Sequence, residues 1–523
     1  MKIKKQHQAT LTALMSATLA LTAFAQNATP GYNHKIPDKI MTPDKVETSI
    51  GTMKFSDGMP DEATVKKAYD NLDLMRGTEA FLNGIPATSI EGMRLGLLEE
   101  GVDSCNKFIL FDQLLDSAPL FLTGNAETVY VATMLDLKKD GPTVVEVPPG
   151  AGPGTVDDAY FRFVIDMGGP GPDRGKGGKY LILPPDYSGP LEGPIGGKEQ
   201  EVDGQKYFVA KSTSYVNLLI LRGFTVGADP APATKMWKEG LKVYSLSQAA
   251  NPPKMEFISG SKKSFNTIHA NNYEFYEELH TVIEREPVSM LDPELRGLFA
   301  AIGIEKGRPF APDARMKKIL TDAVAIGNAT ARAISFRPRM EGAYFHPNSA
   351  WFTGFPGGSY EWLKNGGAGG RFQDARTLFF YLATVNTPAM ALKMPGVGSQ
   401  YACATTDKDG NYLDGAKNYT LHIPPNVPAK KFWSVVVYDP QTRSELQTGQ
   451  TYASKANDRD KDMVKNDDGS FDLYYGPKAP AGKEANWTQT VPGKGWFVLF
   501  RLYGPLEPWF DKTWRPGEFE LVK

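Results

Sequence analysis

Apolar residues recur near helical spacing from Asp61 to Asn83, at Val65, Ala68, Leu72, Met75 and Ala80, with Asp61-Glu62 at the end where a helix favours acids. This predicts a helix, followed by further helix and loop over 86–117. From Asn125 the period changes to two. Thr128, Tyr130, Ala132, Met134 and Asp136 share one strand face, and Val129, Val131, Thr133 and Leu135 share the other. Shorter apolar runs follow at Val144–Val147, Tyr160–Met167, Tyr180–Leu183, Tyr207–Ala210 and Tyr215–Leu221, separated by Gly/Pro loops. Short strands punctuated by turns predict a β-sandwich or barrel.

Helical patterning returns over 230–340, in Lys235–Ala249, Asn272–Glu286 and Pro312–Ser335, with prolines between the segments. From about residue 370 strands resume, most clearly at Tyr419–Ile423, Phe432–Tyr438, Phe471–Tyr475 and Trp496–Tyr503. Asp409-Gly410 and Asp468-Gly469 are hairpin-type turns. The fold class expected is α+β, with two β-sandwich or jelly-roll-like regions joined by a helical segment. The expected division is a leader at 1–25, an extended arm at 26–60, an N-terminal domain at 61–228, a helical linker at 229–340 and a C-terminal β-rich domain at 341–523.

The first residues change the picture of destination. Lys2, Lys4 and Lys5 precede an apolar stretch from Leu11 to Phe24 that ends in Ala23-Phe24-Ala25, the pattern of a secretory signal peptide cleaved before Gln26. An uncleaved anchor is the alternative, and a lipoprotein is disfavoured because no Cys follows. Export to the periplasm or medium is the expectation. Without the leader's three lysines the chain holds 55 basic and 60 acidic residues, a mildly acidic balance with no long basic run. Nucleic acid is not an expected partner, and no later run of about 18 apolar residues predicts a transmembrane helix. Oligomeric state is left open. Cys105 and Cys403 either pair across domains, as export permits, or stay as buried thiols.

Several motifs fail on inspection. The glycine-rich run Gly168–Lys179 lacks the P-loop spacing and reads as a connection between strands, with an anion loop using Lys176 and Lys179 as the alternative. Asp407–Asn411 and Asn466–Gly469 lack the spacing of a calcium loop. Glu277, His280 and Glu284 fall on one helix face but read as a solvated face. No metal and no cofactor is expected. More informative are charges inside apolar strands, which need partners if buried. Arg501 alternates with Phe497, Leu499 and Tyr503, Arg222 follows Val216, Leu218 and Ile220, and Arg162 shares a face with Asp166. Arg501 is expected to point inward and meet an acid, with Asp439 the candidate.

Asn125-Ala126-Glu127-Thr128-Val129-Tyr130, followed by Leu135-Asp136-Leu137, resembles the Asn-x-Asp-Thr-x-Tyr…Leu-Asp-Leu signature of a bacterial exported family with two consecutive domains of unknown function, 1254 and 1214. Tyr438-Asp439 with Thr442-Arg443, Asn466-x-Asp468-Gly469-Ser470, Asn486-Trp487, Phe500–Tyr503 and Trp514-x-Pro516 resemble its C-terminal part. The resemblance spans about residue 65 to the end. It implies two β-rich parts joined by helices and no particular reaction. Glu127 stands where the commoner pattern has Asp.

Two functions follow as expectations. One is a hydrolase of a polar extracytoplasmic molecule, small or polymeric. There Glu127, Asp166 and Asp439, with Asp136, would serve as general acid or base, and Arg443 and Arg501 would stabilise developing negative charge. The other is a non-catalytic module for a glycan or small ligand. Asn125, Tyr130, Arg443, Trp487, Arg501 and Tyr503 would be its contacts, with Trp351 and Trp433 as further stacking surfaces; core packing is the alternative for these aromatics.

Overall fold

The computed structural model describes residues 36–522. The leader and its cleavage point before Gln26 lie outside the described residues. Residues up to Asp73 and those from Leu74 onward form two compact units. In the first, Lys45–Thr48, Gly51–Ser56 and Met59–Pro60 form a three-stranded antiparallel sheet where an extended arm was expected. Asp61 then accepts the backbone N–H of Thr64 at 2.7 Å and caps the start of the helix Glu62–Glu99.

That helix is longer than its apolar spacing predicts, because it runs through Pro86. An interior proline costs about 3 kcal/mol. Ile85, Ile90, Met93 and Leu97 lie beyond Asn83 and are all buried, each contributing roughly 1.5–3 kcal/mol. Their burial outweighs the break.

The second unit holds two pairs of sheets. In the N-terminal half, six strands run in the order Glu256–Ser259, Lys107–Leu110, Thr128–Asp136, Val216–Phe224, Gly154–Asp158 and Phe163–Met167. They pack on a five-stranded sheet that contains Thr143–Val147, Gly178–Leu183 and Gln205–Lys211. Val129, Val131, Leu219 and Leu221 meet Val145, Val147, Tyr180 and Ile182 between these layers, as the period of two requires. In the C-terminal half, a five-stranded sheet built on Ser399–Ala404, Phe497–Pro505 and Ala429–Tyr438 packs on a four-stranded sheet centred on Tyr419–Ile423 and Phe471–Gly476. The fold is α+β, and each half carries a sandwich.

The remaining face of each larger sheet is not solvated. Tyr130, Ala132, Leu218 and Ile220 from one, and Tyr401, Cys403, Val436, Tyr438 and Phe497 from the other, enter a shared core with the helices Glu62–Glu99, Glu274–Arg285, Ala314–Phe336 and Gln373–Leu382. Both faces of these strands are therefore buried.

One helical segment needs correction. Lys235–Ala249 divides into the helix Ala231–Gly240 and the strand Lys242–Ser245. Gly240 ends the helix, and Val243 and Tyr244 pair with Val145 and Val144. Arg162 precedes its strand rather than sharing a face with Asp166. Cys105 and Cys403 are separate buried thiols. The glycine-rich run is a packed connection: Gly168 has φ +70°, and a Cβ there would collide with the Gly152 carbonyl oxygen.

Candidate functional site

The signature Asn125–Tyr130 explains itself locally. Asn125 Oδ1 accepts the N–H groups of Glu127 and Thr128 and the Thr128 hydroxyl, all within 3.1 Å, while its Nδ2 donates to the Tyr130 hydroxyl at 2.6 Å. The side chain is fully buried. An Asx turn that also ties down a phenol needs both ends of one amide.

The turn presents its other groups to the C-terminal half. Glu127 accepts the hydroxyls of Ser434 (3.1 Å) and Ser454 (3.0 Å) and pairs with Arg459 at 3.4 Å. Burial raises its pKa, and Arg459 and Arg501 oppose that rise. Arg501 points inward, as its position among Phe497, Leu499 and Tyr503 predicts, but it meets no acid directly. It donates to the Tyr438 hydroxyl at 2.8 Å and to the Thr123 carbonyl, and its guanidinium lies 4.5 Å from the Tyr401 ring centroid. The Tyr438 hydroxyl in turn donates to the Gly124 carbonyl at 2.6 Å. Asp439 is one residue too far along the strand. It lies past the end of Ala429–Tyr438 and pairs with Lys494 at 2.5 Å.

Asn125, Glu127, Tyr130, Arg501 and Tyr503 are thus brought together at the seam between the two halves. Arg443 joins them through its backbone, whose carbonyl accepts the Thr123 N–H at 2.8 Å. Its guanidinium makes no hydrogen bond and lies 3.9 Å from the Tyr381 ring centroid. Tyr503 stacks on Phe432 with its hydroxyl unpartnered. Trp487 is far from this group and donates its indole N–H to the Gly476 carbonyl at 3.0 Å on an outer strand. Trp351 and Trp433 are buried in the C-terminal core, and Asp136 caps the short helix Leu137–Asp140. None of these three is a free stacking or acid–base group.

Asp166 faces the seam from the N-terminal half. Its Oδ2 accepts the Thr387 hydroxyl at 2.9 Å, its Oδ1 has no partner, and burial lifts its pKa to about 7. With Arg222 and Ser399 it lines a cavity of about 10 Å³, room for one water. The seam is closed.

Open clefts lie elsewhere. A cleft of about 500 Å³ is bounded by the helices Glu62–Glu99, Pro293–Ala300 and Gln373–Leu382, the turn at Tyr160–Arg162 and the loop Tyr360–Arg371. Arg162, Arg371 and Arg376 line it. Asp158 holds Arg162 at 2.8 Å. Arg371 and Arg376 make no ion pair among the described residues. Arg371 donates only to the Glu361 carbonyl, and burial and Arg376 together lower its pKa. Arg376 is 8% exposed, donates to Asn83 Oδ1, and leaves its buried Nε unpartnered.

Asn386 also lines the cleft. It donates to the carbonyls of Phe161 and Tyr360 and leaves Oδ1 unpartnered. Phe161 and Trp362, at φ +59° and +56°, hold bulky side chains on left-handed backbone, a costly state that gathers at functional sites. The motif search missed Arg371 and Arg376. The signal was present in the helix Gln373–Leu382, whose later residues are apolar and buried around one arginine.

Fold and seam together define an α+β protein of two sandwich-bearing halves locked face to face. Two family models match it. One, described as a protein of unknown function (DUF1254), covers residues 105–245, and the other, a protein of unknown function (DUF1214), covers 398–507. The chain carries these two domains in tandem, 1254 N-terminal to 1214. The VPA0106 protein from Vibrio parahaemolyticus is similar in structure at 16% identity, with a TM-score of 0.52 over 86% of this chain and 100% of that one. An uncharacterized protein from Burkholderia cenocepacia matches at 12% identity and a TM-score of 0.38, over 87% of this chain and 96% of that one. The likeness to the Vibrio parahaemolyticus protein concerns fold alone. No curated protein matches the chain. The seam residues fall inside the two matched domains, whereas Arg371 and Arg376 fall between them.

Proposed function

We propose that the protein is an exported, non-catalytic binding protein for a small anionic molecule, taken into the arginine-lined cleft. One observation carries the reading: Arg376 is buried at the cleft with an unpartnered Nε and no carboxylate partner. A guanidinium stays charged at any working pH, and a buried charge without a counter-ion is costly. An anion arriving from solvent supplies the missing partner, and a carboxylate or phosphate matches the guanidinium fork. A volume of about 500 Å³ suits a small ligand.

The hydrolase reading is weaker on the same geometry. Glu127 is held by two serines and Arg459 in the closed seam, Asp439 by Lys494, and Asp166 faces room for one water. None of the three lines the cleft. Export rests on the lysines, the apolar run and the Ala-x-Ala box.

Calorimetric titration of the full chain with phosphate, sulfate and simple carboxylates tests the binding reading. Saturable binding lost in Arg376→Met supports it, and no binding of any anion sinks it. Turnover in a hydrolase panel that disappears on Glu127→Gln would restore the enzyme reading. Intact mass of protein from the extracytoplasmic fraction tests export, with a mass retaining Met1–Ala25 the adverse result.

A further inference from the structure

The cleft's walls are unequal. Arg376 comes from the helix Gln373–Leu382 and Arg371 from the residues just before it. The helix Pro293–Ala300, its cap and the residue before the cap contribute Leu291, Leu295 and Leu298 together with Asp292 and Glu294. These leucines follow helical spacing, and Leu295 and Leu298 are only half-buried. Phe380, one turn along from Arg376, also lines the cleft.

Size decides what such a pair of walls accommodates. A water occupies about 30 Å³ of liquid, and a carboxylate is roughly two waters in bulk. An inorganic anion on Arg376 would leave most of the 500 Å³ holding water against leucine. Removing that water is favourable by roughly a factor of four in affinity for each methylene buried. The lining also carries four exposed carboxylates, Glu79, Asp292, Glu294 and Glu361. They disfavour a polyanion whose second charge reaches the opening.

Resting on the anion-binding reading of this cleft, we infer that its ligand is an amphipathic monocarboxylate, with the carboxylate on Arg376 and Arg371 and an acyl or aryl body against Leu291, Leu295, Leu298 and Phe380. A carboxylate presents two coplanar oxygens to a guanidinium fork, and the body replaces ordered water on the leucine wall. The short helix Pro293–Ala300 then sets specificity, because its exposed face determines the length and width of body admitted.

Calorimetry on the full chain with acetate, octanoate, 3-phenylpropionate and inorganic phosphate tests this. Octanoate or phenylpropionate should bind at least tenfold more tightly than acetate, and phosphate should be weak. Leu295→Asn with Leu298→Asn should bring the longer acids down to the level of acetate and leave acetate itself unchanged. Arg376→Met should abolish binding of all the acids; if that variant fails to fold, Arg371→Met at the surface should weaken them at least tenfold. Phosphate binding as tightly as phenylpropionate, or acids binding with no dependence on the body, would overturn the ligand class and leave the anion reading standing. No binding of any probe would overturn both.

Discussion

Replacing Arg501 with Ala tests whether the seam, rather than either sandwich alone, holds the two halves together. The guanidinium is 2% exposed and donates to Tyr438 in its own half and to the Thr123 carbonyl in the other. A hydrogen bond from a charged donor contributes about 1.5–3 kcal/mol, so losing these two costs roughly 3–6 kcal/mol. The void left by the truncated side chain adds about 1–2 kcal/mol. Arg501→Ala should therefore destabilise by about 4–8 kcal/mol. Arg501→Met, which nearly keeps the volume, should cost about 1–2 kcal/mol less. The Tyr438 hydroxyl retains its Gly124 bond, so Arg501→Met and Tyr438→Phe should be non-additive in a double-mutant cycle. Urea unfolding followed by tryptophan fluorescence gives the energies. Amide exchange over 120–130 reports whether the signature loop loosens first. A loss below 1 kcal/mol, or an unchanged exchange rate in that loop, would refute the seam argument.

Asn125→Ala removes an amide that makes four hydrogen bonds inside the core and should cost about 2–4 kcal/mol in the same assay; a loss under 0.5 kcal/mol counts against the Asx-turn account. Burial raises the folded pKa of Asp166 from 3.8 to about 7, so the folded state binds more protons than the unfolded one between those values. Its contribution is present below pH 3.8 and is lost as pH rises through about 7. Asp166→Asn should then gain stability over wild type at pH 8 and gain little at pH 4; an equal difference at both refutes this. Burial and Arg443 lower the His269 pKa to about 3, which gives the opposite sign: stability is lost as pH falls from 6.5 towards 3. His269→Phe should flatten that limb in a pH series of melting curves. Cys105 and Cys403 should react with a thiol reagent only after denaturation, and a mass difference on reduction would show that they pair.

Strand and helix positions were largely legible because burial on one side of an element leaves a period in the sequence. Thr128–Asp136 shows this, as does Glu274–Arg285, which matches the segment predicted from its spacing. The extension of the first helix through Pro86 was not legible. Local chemistry argues for a break there, and only the burial of Ile90, Met93 and Leu97 against distant elements reverses it. Lys242–Ser245 was lost for a related reason, since its strand exists by pairing with Thr143–Val147 about a hundred residues earlier.

By itself the sequence determined the α+β class, the two β-rich regions, the inward direction of Arg501 and the family signature, each of them a matter of spacing along one segment. Partners were decided by the tertiary structure alone. Alternation places Arg501 on a face but is silent on what crosses from the other half, so Asp439 looked eligible where Thr123 and Tyr438 are the actual neighbours. The cleft is the stronger case. Asn83, Arg162 and the stretch from Arg371 to Arg376 come from three separate segments, and no local rule connects them. Their convergence on one open volume, with a buried guanidinium left without an anion, follows from how the helices pack and from nothing shorter in range.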